Sequence, residues 1–186
     1  MDKKKILVVV DMQHDFVDGS LGTPEAQLIV PKIEEKILNG NYDRVLYTFD
    51  THYLPDYWNT QEGKKLPVPH CIKGETGWCS ALSTHKDKDS IIEKETFGYI
   101  NWNRFIGCKR GNISLFDDYE RAETVSIELV GLCTDICVIT NALILKTYYP
   151  EIQIIVDASC CAGTTPEAHK AALTVMKSCQ IDVINE

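Results

Sequence analysis

Six short runs rich in β-branched and aliphatic residues recur along this chain, and the helix-like stretches set among them limit its possible folds more than any other feature. Lys5 to Val10 (KILVVV), Arg44 to Phe49 (RVLYTF), Ser90 to Glu93 (SIIE), Val125 to Val130 (VSIELV), Gln153 to Val156 (QIIV) and Ile181 to Ile184 (IDVI) read as strands. Helical patterns fall at Ile29 to Leu38, Ser114 to Arg121, Asp135 to Tyr148 and Pro166 to Ser178. The last has a start signal, with Thr165 as N-cap and Pro166 at the first helical position. Strands alternating with helices predict an α/β fold: a three-layer, doubly wound, six-stranded parallel sheet with helices on both faces and right-handed crossovers. No repeat or break in composition divides the 186 residues, so 1–186 is expected to be a single domain.

The N-terminal MDKKKILVVVDMQHDF pairs basic residues with a short apolar run. That run meets Asp11 with no small-residue cleavage site after it, so it reads as a strand and not as a signal peptide. No stretch approaches the roughly 20 apolar residues of a membrane span. A cytoplasmic protein with no membrane partner is expected, and its eight cysteines are then expected to be thiols. A formal charge of -8 argues against a nucleic-acid partner.

Charged and nucleophilic residues stand at the strand ends. Asp11 follows the first strand, Asp50 the second, Lys94 the third, the turn from Cys133 to Cys137 the fourth, and Asp157 the fifth. Ligands of open parallel sheets bind outside the carboxyl ends of the strands, so these side chains are expected on one rim. A lone aspartate after a strand is ordinarily a turn residue; Asp, Lys and Cys from three strands make a stronger coincidence. With Asp135 as N-cap, Cys137 would lie in the first turn of a helix, where free N–H groups favour a thiolate and can hold an oxyanion. Lys94 offers a neighbouring cation. Cys133 reads as a small buried residue, and the CxxxC spacing departs from the CxxC of redox pairs.

A second constellation lies in the Pro- and Gly-rich stretch from Thr51 to Lys88, which has no clear periodicity and so reads as a long functional loop. Asp50 and His52 stand two apart, with His70 further on. Such oxygen and imidazole donors suit zinc, iron or manganese, although solvated loop residues fit the bare pattern as well.

The segments VVVDMQHDF, DTH, PVPHCIKGETGW, EKETFGY and VGLCTDICV, in this order, with DASCCAGTTPEAHKAALTVM after them, resemble the isochorismatase-like cysteine hydrolase family, and within it the nicotinamidases. The likeness spans nearly the whole chain; each piece is weak alone and the ordered set is specific. It implies the isochorismatase-like, Rossmann-like form of the sheet and a catalytic triad of Asp11, Lys94 and Cys137. It implies a cis peptide before Cys133, whose N–H joins that of Cys137 in an oxyanion hole. It also implies a divalent metal, zinc first with iron or manganese as alternatives, on Asp50, His52 and His70. For the fourth ligand a straight count reaches Trp58, while Glu62 is the natural carboxylate and is the residue expected.

The same resemblance implies hydrolysis of nicotinamide to nicotinate and ammonia through a cysteine thioester, in NAD salvage, with a small-molecule partner and a homo-oligomer left open. Phe16, Leu66 and Tyr99 are expected to bind substrate, with Trp58 and Phe97 as further wall candidates. Leu66-Pro67-Val68-Pro69 departs from the aromatic residue that many nicotinamidases carry before the metal histidine. Another hydrolase of the family, acting on a different small amide or on isochorismate, is the alternative. A non-enzymatic scaffold is disfavoured by the intact triad. Cys71, His14 and His169 are expected to take no part in the chemistry.

Overall fold

The structure is a computed structural model that describes residues 4–86, 90–106 and 125–186. Its centre is a six-stranded parallel sheet in the order β3-β2-β1-β4-β5-β6, built from β1 (Lys4–Val10), β2 (Arg44–Asp50), β3 (Ser90–Lys94), β4 (Val125–Leu132), β5 (Gln153–Ala162) and β6 (Asp182–Ile184). The expected doubly wound sheet is therefore present. Among the described residues the helices are α1 (His14–Val17), α2 (Pro24–Asn39), α3 (Gln61–Lys65), α4 (Asn103–Ile106), α5 (Ile139–Tyr148) and α6 (Pro166–Ser178). The helix expected at Ser114 to Arg121 lies outside the described residues.

The continuous apolar run of β1 has a packing cause. Ile6, Val8 and Val10 join one core with Val138, Leu145, Leu173 and Met176, while Leu7 and Val9 join the other with Ala26, Ile29 and Ile33 of α2. A strand covered on both faces has no solvent side, so alternation disappears. Strand order runs outward from β1 to β3 and then restarts beyond β1 at β4. The crevice between the carboxyl ends of β1 and β4 is thus the switch point.

Helix starts follow one short signal used twice. Thr165 caps α6 by accepting a hydrogen bond from the Ala168 N–H, and Thr23 caps α2 by accepting one from the Ala26 N–H, each at 3.1 Å and each followed by proline. Such caps contribute about 1 kcal/mol. The stretch TPEA at 23–26 therefore begins α2 earlier than the expected Ile29.

Two expectations are corrected. β5 runs on to Ala162 through a register shift, with Leu129 opposite Val156 but Gly131 opposite Cys161. Asp157 consequently sits inside the strand, away from the rim, and binds Lys36 of α2 at 2.7 Å. Asp135 is not a helix cap: a π-helical turn, Thr134–Val138, precedes α5, and Cys133 stands at its N-cap without a side-chain bond.

Gly131 makes the β4 exit possible. Its φ is 117°, and a Cβ there would overlap the Val10 carbonyl oxygen of the neighbouring strand. Gly131→Ala is expected to cost more than about 3 kcal/mol, because strained backbone and steric overlap add. Gly74 also has positive φ, 91°, but open space around it, so Gly74→Ala should cost about 1–2 kcal/mol. Urea titration of both variants checks this, and equal losses would show that the contact with β1 does not decide the cost.

Candidate active site

The switch point gathers side chains from four strand ends. Lys94, leaving β3 beneath the rim, places its ammonium 2.7 Å from Asp11 Oδ2, 3.3 Å from Asp50 Oδ1 and 3.5 Å from Cys137 Sγ. Asp11 follows β1 in the left-handed region, φ 49°, and its Oδ1 accepts a 2.7 Å hydrogen bond from Thr48. All four are buried. The peptide between Leu132 and Cys133 is cis. The Cys133 carbonyl accepts from the N–H groups of Ile136 and Val138 at 3.0 and 3.1 Å, and the Cys137 N–H between them is not one of its donors.

Burial sets the protonation here. It pushes the Cys137 thiol well above its ordinary value, with Asp11 adding to the rise and Lys94 opposing it. Asp11 is likewise raised by burial against the pull of Lys94, with Asp50 pushing the same way as burial. Burial thus opposes the pull of Lys94 on the sulfur and favours the thiol form, against the tendency toward thiolate that a helix start beside a cation would give. Asp50 differs. Burial would raise it, but hydrogen bonds from His52 and His70 and the Lys94 charge hold it below the ordinary carboxylate range. Cys133, raised to about 12 by burial and the nearby Asp135, is also a thiol. The seven described cysteines are free.

Asp50 is shared with a second cluster. Its Oδ2 lies 3.0 Å from His52 Nε2 and 3.5 Å from His70 Nε2, while Glu62 oxygens lie 3.7 Å from His52 Nε2 and 3.6 Å from His70 Nε2. One donor atom from each of Asp50, His52, Glu62 and His70 lies within 4.8 Å of every other. Donors this close suit an ion with metal–ligand bonds of about 2.0–2.2 Å. His70 Nδ1 faces the Val68 carbonyl at 2.9 Å and the Tyr57 hydroxyl at 3.3 Å, leaving Nε2 turned toward the cluster. Burial would lower the His70 pKa, yet Asp50 and Glu62 raise it to about 10. The donor set fits a divalent metal.

Glu62 reaches the cluster because Thr60 caps α3, accepting from the Gly63 N–H at 2.9 Å. Trp58, the alternative by count, is 48 % exposed, whereas its neighbour Tyr57 is buried inside the loop. Cys71 stays apart: it is buried with φ 47° and offers its N–H to Asp15.

Both clusters open on one cavity of about 470 Å³, lined by Phe16, Leu66, His70, Leu132, Cys133 and Cys137 among others, with Phe97 also on its wall. Phe16 sits 5.4 Å from His70, ring to ring. Tyr99 is a correction. It lines a different cavity and packs on Trp102 and Phe105, because Asn141 Oδ1 accepts its N–H and holds the segment beside α5.

Sequence reasoning missed several supports. Gln13 donates to the Asp50 carbonyl and accepts from the Asp50 N–H, tying the ends of β1 and β2 together. Asp15 Oδ2 accepts from the Cys71 N–H at 2.7 Å, next to His70. Asn141 donates to the Cys137 carbonyl at 2.8 Å. Gln13 and Asp15 stand in the DMQHDF segment, a usable signal; Tyr57 and Asn141 gave none, since their roles need distant partners. His14 pairs with Asp18 at 2.9 Å on the surface.

The family model of the isochorismatase domain matches residues 5–186. An isochorismatase family protein of Bacillus subtilis is 28 % identical over 92 % of this chain and 93 % of its own. The nicotinamidase/pyrazinamidase of Mycobacterium tuberculosis is 24 % identical over 97 % of this chain and 98 % of its own. A pyrazinamidase of Pyrococcus horikoshii, solved in complex with zinc, superposes with a TM-score of 0.74 at 22 % identity, covering 98 % of this chain and 99 % of that one.

The electrostatics predict a pH profile. Lys94 favours the anionic forms of Asp11 and Cys137, so Lys94→Met should shift the rise of Cys137 alkylation by iodoacetamide to higher pH, by about 1–3 units. Mass spectrometry of the Cys137 peptide across pH gives the profile. An unmoved or lowered midpoint would show that Lys94 is not the counter-charge.

Proposed function

The chain belongs to the isochorismatase family, and from that premise we propose that it is a nicotinamidase, hydrolysing nicotinamide to nicotinate and ammonia in NAD salvage. One observation carries the proposal. The cluster of buried Asp50, His52 and His70 with half-buried Glu62 opens on the same cavity as Cys137 and shares Asp50 with Lys94. Such a site can hold a heteroaromatic nitrogen at one end while a carboxamide meets the thiol at the other. The relatives named nicotinamidase and pyrazinamidase, one of them solved with zinc, support it. No helix among the described residues is long and apolar enough to cross a membrane, in keeping with a cytoplasmic enzyme.

The proposed chemistry follows from the residues. Asp50, His52, Glu62 and His70 would hold a divalent ion, zinc first, and the bound ion would supply a Lewis-acidic point that orients the pyridine nitrogen. Phe16 and Leu66 confine the ring. Asp11 takes the Cys137 proton as the sulfur attacks the amide carbon, and the N–H groups of Cys133 and Cys137 hold the oxyanion. Asp11 returns its proton to the departing ammonia and then deprotonates the water that cleaves the thioester. Lys94 keeps the buried negative charge compensated through both half-reactions.

A second reading has one observation behind it: the ring-facing position carries Leu66, not an aromatic residue, in a cavity of about 470 Å³. Another small amide is the substrate under that reading.

Two measurements test the proposal. Chelation should reduce nicotinamide hydrolysis at least about 10²-fold while far-ultraviolet circular dichroism is kept, and benzamide, lacking the ring nitrogen, should be a poor substrate throughout. A metal-free protein that binds no metal on titration and hydrolyses nicotinamide undiminished would sink the reading. Cys137→Ala should abolish turnover, whereas Cys133→Ala, which keeps its N–H, should lose less than about tenfold. Equal loss in both, with folding intact, would overturn these roles.

A further inference from the structure

His169 lies on α6, outside both clusters, yet it touches the turn that carries the nucleophile. Its Nδ1 is 2.8 Å from the Thr134 hydroxyl, and Thr134 is fully buried. The next residue is held from the same side: Asp135 Oδ1 accepts from the Thr164 N–H at 2.8 Å and Oδ2 from the Thr164 hydroxyl. Gly163 lets the loop close on both, since a Cβ there would lie 2.9 Å from Asp135 Oδ1 and from the His169 Cβ. Thr134 and Asp135 thus stand between the two oxyanion N–H groups, of Cys133 and Cys137, and both are tied outward to the start of α6.

The turn needs such ties, because it lacks the usual one. Cys133 at its N-cap makes no side-chain capping bond, and a capping side chain would compete for the N–H groups that the oxyanion requires. Fixing the turn from behind leaves those donors free. His169 suits this task, since burial lowers its pKa and favours the neutral imidazole, whose Nδ1 can share a hydrogen bond with the Thr134 hydroxyl in either tautomer.

We propose that His169, together with the Asp135 to Thr164 pair, positions the Cys133 and Cys137 N–H groups as an oxyanion hole from behind. This rests on the reading of Cys137 as nucleophile, and it needs no particular amide substrate. Two reactions of the same sulfur separate it from general damage. With 4-nitrophenyl acetate, Cys137 attacks the acetyl carbon, an oxyanion forms, the carbon–sulfur bond is kept and 4-nitrophenolate leaves. The thiol proton goes to Asp11. With iodoacetamide, sulfur displaces iodide and no oxyanion forms.

In His169→Ala and Thr134→Val, acylation by 4-nitrophenyl acetate should fall about 10- to 100-fold while alkylation of Cys137 stays within about twofold, the pattern of a lost oxyanion donor. His169→Gln, whose amide can accept from or donate to Thr134, should recover most of the acylation rate. Both rates are read on the Cys137 peptide, which excludes the exposed cysteines, and only for variants retaining the wild-type near-ultraviolet spectrum. If either substituted protein fails to fold, the other carries the test. Equal falls in acylation and alkylation, no fall in either, or no recovery in His169→Gln would overturn the proposal. Wild-type protein that acylates but does not hydrolyse nicotinamide would overturn the nicotinamidase reading alone.

Discussion

A single buried ammonium organises the rim of this sheet. Lys94 contacts Asp11, Asp50 and Cys137 within 3.5 Å, in a place where all four residues are buried. Removing such groups from water is costly unless each charge is compensated. Lys94 meets two carboxylates and a thiol here, and the histidines add their own hydrogen bonds to Asp50. Burial raises both Asp11 and Cys137, while the hydrogen bonds of His52 and His70 hold Asp50 below the ordinary carboxylate range. The rim therefore sets two easily protonated groups beside one carboxylate that favours its anionic form.

Asp50 couples the two halves. One of its oxygens serves Lys94 and the other faces the histidines, so a single carboxylate joins the four-donor cluster to the group around Lys94. Gln13 holds the backbone of that residue from both sides, and the rigid β1 to β2 pairing beneath fixes their separation. Cys137 comes from the opposite side of the switch point, where Gly131 admits close approach to β1. Opposed elements thus bring the Asp11 carboxylate and the Cys137 sulfur to the same ammonium.

Much of this was legible in the chain. The six strands and the rim residues Asp11, Asp50, Lys94 and Cys137 follow from runs of β-branched residues and from what stands after each, because strand patterning is local. The start of α6 was readable for the same reason, and the start of α2 carried an identical TPEA that went unread. Asp157 was misread as a rim residue: the register shift that lengthens β5 depends on its pairing with β4, and a single strand does not encode its neighbour's offset. Tyr99 was misread because the side of the cavity it faces is set by Asn141, forty-two positions away.

The sequence by itself determined the fold class, the order of the strands' terminal residues and the donor types available for catalysis and metal binding. These rest on short-range patterns and on side-chain chemistry that each residue carries with it. Only the tertiary structure decided that Glu62 and not Trp58 stands beside the histidines, that burial pushes the Cys137 thiol up, and that His169 meets the turn leading to Cys137. Each of those depends on burial and on partners brought together across the sheet, and desolvation and long-range contact are properties of the packed chain, absent from any local stretch of it.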